Sequence, residues 1–113
     1  MDKVEKYKQA VRKVIERVAG LRNNARDAAK GITIIDEGRG HYLLYVNEWK
    51  GDKRSYGCYL HIDVSEDGKV WLQYDGTDLI IGQELLDEGV EKEDLVLGWI
   101  APFRRADTGY AVG

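Results

Sequence analysis

Apolar residues recur at three- and four-residue intervals through the first twenty positions. Val4, Tyr7, Val11, Val14, Val18 and Leu21 make one stripe, and Ile15 widens it. That period predicts an amphipathic helix over residues 2–20. Asp2 stands at the capping position, with Glu5 three residues on as in a capping box. Gly20 or the Asn23-Asn24 pair ends the regular pattern. Residues 21–30, through Ala25, Ala28 and Ala29, add at most an irregular helical turn.

From residue 32 the period drops to two. Ile32 to Asp36 is short and β-branched and reads as a strand. Gly38-Arg39-Gly40 makes a turn, and His41 to Trp49 is the next strand. After the polar loop from Lys50 to Arg54, Ser55 to Ser65 returns, and Lys69 to Asp75 completes a meander. A three-residue loop, Glu66-Asp67-Gly68, sets Gly68 where a left-handed backbone is required. Val64 then opposes Val70, Ile62 opposes Leu72 and Leu60 opposes Tyr74, so apolar meets apolar. A one-residue slip would oppose Ile62 to Gln73 and Val64 to Trp71, which argues against it. In the first hairpin, pairing Trp49 with Ser55 sets Tyr45 opposite Tyr59, Leu43 opposite His61 and His41 opposite Asp63.

Alternation divides this sheet into two faces. The core face takes Tyr42, Leu44, Val46, Tyr56, Cys58, Leu60, Ile62, Val64, Val70, Leu72 and Tyr74, and the N-terminal helix is its natural cover. The opposite face takes His41, Leu43, Tyr45, Asn47, Trp49, Gly57, Tyr59, His61, Asp63, Trp71 and Gln73. It is too aromatic for a surface that only meets water. Either another chain or the C-terminal part of this one covers it.

Beyond the sheet, Asp75-Gly76-Thr77-Asp78 reads as a turn that leads into a short helix over about Leu79 to Glu88. Gly89 suits a left-handed stop, with Val90 packing back on Leu85. Leu95 to Ile100 reads as a strand. The tail holds the chain's only proline, Pro102, yet Phe103, Tyr110 and Val112 give it reason to pack on the domain. The predicted fold class is α+β: one domain over 1–113, an antiparallel meander with the N-terminal helix on one face and a short second helix.

Charge changes the picture at one point. The net charge is −3, but residues 1–30 hold nine Lys/Arg against four Asp/Glu, and the remainder holds eight against sixteen. The basic helix is expected to dock on the chain's own acidic part, since a pI near 5.4 does not suit a DNA binder. Lys6, Lys13 and Arg17 along one flank are the candidate DNA contacts in the alternative. Cys58 is the only cysteine, which fits a reducing cytoplasm and rules out an internal disulfide. No run approaches the length of a membrane span, and the charged start does not resemble a signal peptide.

Candidate chemistry is sparse. His41, His61 and Asp63 fall on one face and have the donor types for a divalent metal or a shared proton, without a ligand-spacing motif. Hydrogen bonding between strands is the preferred reading, so no metal and no cofactor are assigned. No serine or threonine sits in a nucleophile elbow, and Gly38-Arg39-Gly40 lacks the context of a phosphate loop. Arg104-Arg105 is the type of pair that clamps a carboxylate or phosphate, or bridges to a nearby acid. The aromatic face is the stronger feature: Tyr45, Trp49, Tyr59 and Trp71 are residue types enriched at protein interfaces. Lys69 alone among basic residues is expected to project there, and Asp63 would repel phosphate, so protein is favoured over nucleic acid.

Several stretches, taken in order, resemble the XisI family of cyanobacterial controlling factors for excision of the fdxN element. They are M-D-K-V-E-K-Y at the start, R-G-H-Y-L-L at 39–44, Y-G-C-Y-L-H-I-D at 56–63 and G-K-V-W-L-Q-Y-D-G-T at 68–77. E-L-L-D-E-G-V at 84–90, E-D-L-V-L-G at 93–98 and P-F-R-R-A-D-T-G-Y-A-V-G at 102–113 complete them. Leu21 to Lys30 departs from the family pattern, as does Trp99 where phenylalanine is usual. The resemblance implies a role in developmentally controlled site-specific DNA rearrangement, beside a separate recombinase and an XisH partner, and carries over no catalytic residues. The expected working surface is therefore Tyr45, Trp49, Tyr59, His61, Asp63, Trp71 and Gln73, meeting an XisH-like protein or a second copy of the chain. Direct DNA binding, or metal-dependent catalysis by His41, His61 and Asp63, are the alternatives.

Overall fold

The computed structural model describes residues 2–26 and 28–113. Helix α1 spans Lys3–Asn23, and the Asp2 carboxylate accepts from the Glu5 amide at 2.8 Å, as the cap predicts. The helix passes through Gly20 and stops three residues later. Its last turn is held from outside: Arg22 lies over the Tyr59 ring, and Asn23 Oδ1 accepts from the Gly31 amide at 2.7 Å. Tertiary contacts of this kind override a weak glycine stop. Ala25 and Ala28 form bends rather than a helical turn, and Asp27 lies outside the described residues.

The sheet runs in the order β1 (Gly31–Asp36), β2 (His41–Lys50), β3 (Lys53–Val64), β4 (Val70–Asp75) and β5 (Leu95–Leu97). The first four strands form the predicted antiparallel meander. The fifth runs parallel to β4. Its chain reverses through helix α2 (Ile81–Asp87), a crossover that parallel neighbours require. β5 stops at Leu97, because Ile100 turns back to donate to the Leu97 carbonyl. α2 begins at Ile81, two residues later than the pattern suggests, since Asp75 and Thr77 spend their side chains on a turn over 75–79. It ends as predicted: Val90 donates to Leu85 and Gly89 to Leu86, with Val90 buried.

Two β-bulges correct the predicted registers. The pairs Val64–Val70 and Ile62–Leu72 hold, and then Gln73 is bypassed, so that His61 opposes Tyr74 and Leu60 opposes Asp75. In the first hairpin His41–Asp63 and Leu43–His61 hold, and then Tyr59 is bypassed. Tyr45 now faces Cys58, and Trp49 faces Arg54. Each bulge puts two residues against one, so every side chain beyond it changes face.

The core lies between α1, α2 and one side of the sheet. Tyr7, Val11, Val14, Ile15 and Val18 pack there on Tyr42, Leu44, Leu60, Ile62 and Leu72. The basic helix does dock on acidic partners: Arg17 bonds Glu84 and Glu88 on and beside α2, both at 3.0 Å. Among the described residues no helix is long and apolar enough to cross a membrane.

Candidate binding face of the sheet

The outer side of the sheet divides into an open apolar half and a polar half flanked by the C-terminal segment. Tyr45 is half-buried on the open half, its ring edge-on to Tyr56 at 6.4 Å between centroids. Ile32 opposes Tyr45 and Ile34 opposes Leu43, which puts both isoleucines on the same side. They are 45% and 49% exposed, and Tyr56 is 67% exposed. With Leu43 and Asn47 these residues line a shallow hollow of about 430 Å³. Trp49 continues the surface, and the Arg54 guanidinium lies over both Trp49 and Tyr56, 5.3 and 5.1 Å from the ring centroids.

This arrangement corrects the sequence reading at five residues. Tyr59 is not on the outer face. The bulge turns it to the helix side, where it packs on the core under Arg22, 4.0 Å from the ring centroid. Tyr56, expected in the core, takes an exposed outer position, as does Tyr74 at 51%. Cys58 moves to the outer side opposite Tyr45 and is only partly covered, though burial still pushes its thiol pKa up. Arg54 joins the outer face as well, so Lys69 is not the only basic residue there. One signal in the sequence marked the change: Gly57, at φ +144, sits in the middle of a strand beside the bulge. Ile32 and Ile34 were read only as strand residues, because a six-residue strand does not reveal which side is covered.

The polar half holds the cluster that the sequence placed together. His41 Nδ1 and His61 Nε2 each lie 2.8 Å from the same oxygen, Asp63 Oδ1. Gln73 Nε2 donates to the other oxygen, Asp63 Oδ2, at 3.2 Å. Trp71 lies beside them, half-buried, with Arg105 5.2 Å from its ring centroid. Arg105 also donates to the Ile100 carbonyl at 2.9 Å, so it fastens the tail instead of clamping a free anion. The tail thus flanks Trp71, and a bridge from Ala111 to Val96 secures its end.

The candidate DNA contacts do not form a free basic stripe. Arg17 is committed to Glu84 and Glu88, bonds that raise its pKa. Lys6 and Lys13 are exposed on α1, away from the aromatic face.

Comparison with known proteins agrees with this architecture. The family model of XisI protein matches residues 1–112. The crystal structure of fdxN element excision controlling factor XisI from Anabaena variabilis ATCC 29413 superposes with a TM-score of 0.84. It is 32% identical, over 99% of this chain and 100% of that one. A XisI-like protein from the same organism reaches a TM-score of 0.87 at 36% identity, over 97% of this chain and 99% of that one. No curated protein matches the sequence. The match over nearly the whole length, in sequence and in fold, shows that the chain belongs to the XisI protein family.

Proposed function

We propose that this protein is a controlling factor for excision of a DNA element and works by binding another protein through the open half of its outer sheet face. One observation carries the reading: Ile32, Ile34, Leu43, Tyr45 and Tyr56 form a contiguous apolar surface with no cover from the chain's own tail. Patches of this kind on a small domain mark interaction sites. Aromatic residues with an arginine over them are the composition of interface hot spots. The related structure named as an excision controlling factor supports the process, and the family resemblance points to an XisH-like protein as the partner. Trp49 extends the contact, while His61, Asp63, Trp71 and Gln73 border it. Tyr59 has no part in it. The factor acts by recognition and not by catalysis.

The test is calorimetric binding of the purified protein to a purified XisH-like protein. Tyr45→Ala is expected to weaken binding at least tenfold with the fold retained by circular dichroism. Undiminished binding by both Tyr45→Ala and Ile34→Asp would overturn the reading.

A homodimer is the second reading, and the sequence of β1 favours it. β1 is an open edge strand, with Lys30 before its first residue and Asp36 as its last. Antiparallel pairing of two copies about Thr33 sets Lys30 opposite the second copy's Asp36 and Ile32 opposite its Ile34. The two outer faces then join into one. The Gly31 amide is taken by Asn23 and the Asp36 carbonyl by Gly40, so alternation turns the Thr33 amide outward. Sedimentation is expected to show a dimer that Thr33→Pro dissociates. A monomer at about 100 μM, a concentration at which even weak specific pairs associate, would rule this reading out.

A further inference from the structure

The His41, His61 and Asp63 cluster has features that hydrogen bonding at a surface does not require. Both imidazole nitrogens aim at one carboxylate oxygen, at the same 2.8 Å, although Asp63 has a second oxygen to offer. The three donor atoms lie within 4.8 Å of one another. Water could satisfy His41, whose side chain is 48% exposed, without any such convergence.

The second oxygen has a support of its own. Gln73 is the bypassed residue of the β4 bulge, and its amide reaches Asp63 Oδ2. Bulges re-aim a side chain where regular pleating would misplace it. Gly98 keeps the space for that amide: a Cβ there would stand 2.3 Å from Gln73 Oε1. A bulge on one strand and a glycine beyond the next therefore cooperate to orient one carboxylate. Fixing a carboxylate by an outer amide is characteristic of metal ligands.

We propose that His41 Nδ1, His61 Nε2 and Asp63 Oδ1 form a site for a zinc-class divalent cation, with Gln73 as the residue that positions Asp63. Two imidazoles and a carboxylate suit zinc, cobalt or nickel, and do not suit magnesium or calcium, which take oxygen ligands. Tetrahedral binding with bonds of about 2.0 Å needs donors about 3.3 Å apart. Small side-chain rotations that widen each 2.8 Å contact by about half an ångström make that room. All three ligands stand on paired strands, His41 directly opposite Asp63 and His61 two residues before it, so the backbone sets their relative positions. His41 and Asp63 border a hollow of about 310 Å³ that Arg39, Ser65 and Trp71 also line, which leaves room for water to complete the coordination.

The site is tested on the tag-free full chain by titrating zinc chloride in the calorimeter near neutral pH. Cobalt replaces zinc in a parallel titration read by its visible ligand-field bands. One equivalent is expected to bind saturably. His61→Ala and Asp63→Asn are expected to abolish binding, and Gln73→Ala to weaken it about 10–100-fold. His41→Ala, at the most exposed ligand, serves as the variant least able to disturb folding, and circular dichroism checks each protein. On zinc addition the imidazole proton signals of both histidines are expected to shift together. Failure of the wild type to bind saturably, or binding by His61→Ala and Asp63→Asn as tight as the wild type's, would overturn the proposal.

Discussion

Tyr7→Phe removes one oxygen from the buried junction between α1 and the start of β5. Tyr7 is 1% exposed, and its hydroxyl donates to Asp94 Oδ2 at 2.6 Å. Asp94 is itself 6% exposed, and the half-exposed Lys3 ammonium lies 3.3 Å from its other oxygen. The same hydroxyl accepts from the Glu91 amide at 3.2 Å. A hydrogen bond to a charged group contributes about 1.5–3 kcal/mol, and its loss here leaves a buried carboxylate short of a donor. We take about 2 kcal/mol, which for a domain of this size lowers Tm by about 8 °C. Urea unfolding followed by tryptophan fluorescence measures it, with an unchanged m-value as the control. Alkaline pH gives a second readout. Burial first, and the Asp94 bond next, raise the Tyr7 pKa from 10.0 to about 12. The unfolded chain loses this proton near pH 10 while the folded chain keeps it, so this contribution to stability is full below pH 10 and falls as pH rises to 12. Tyr7→Phe should flatten that part of the profile. A variant as stable as the wild type, with the same alkaline slope, would refute the role given to this junction.

Tyr59→Ala is expected to lower stability by about 2–3 kcal/mol through lost packing and the lost Arg22 contact, and to leave partner affinity unchanged once folded. Urea melts and calorimetry separate the two effects. Arg17→Ala breaks two exposed ion pairs and should cost about 1 kcal/mol or less, diminishing further in salt. The same variant should leave any weak binding to duplex DNA unaltered; loss of tight, steeply salt-dependent binding would revive the basic-helix alternative. Cys58, its thiol pKa raised by burial, should react slowly with a disulfide reagent at neutral pH and quickly in urea, a contrast absorbance reads directly.

Legibility in the sequence broke at the two bulges. Near the Glu66-Asp67-Gly68 loop, where Gly68 adopts φ +85, the turn geometry fixes the pairing and alternation reads it correctly. His41, His61 and Asp63 lie on the side of the Tyr59 bulge away from the Lys50–Lys53 turn, where β2 and β3 keep the register inferred from the sequence, so they were brought together correctly. Past Tyr59 and Gln73 the alternation is out by one, and Tyr56, Cys58, Tyr59 and Tyr74 were assigned to the wrong side. The helical stripe of α1 and the ending of α2 were legible because both are local. β5 was legible only as a strand, since three residues carry no sign of direction and the crossover decides it. Expecting either the tail or another chain over the outer face set up a false choice. The tail flanks Trp71 and leaves the Ile32–Tyr45–Tyr56 surface open.

The central claim is that this open surface is where the protein meets its partner. The most direct measurement is the dissociation constant for an XisH-like protein of wild type, Tyr45→Ala, Ile34→Asp and Tyr59→Ala, each checked for folding. Affinity is predicted to fall at least tenfold for the first two variants and to hold for Tyr59→Ala. Equal affinity across all four proteins, or a loss confined to Tyr59→Ala, would contradict it.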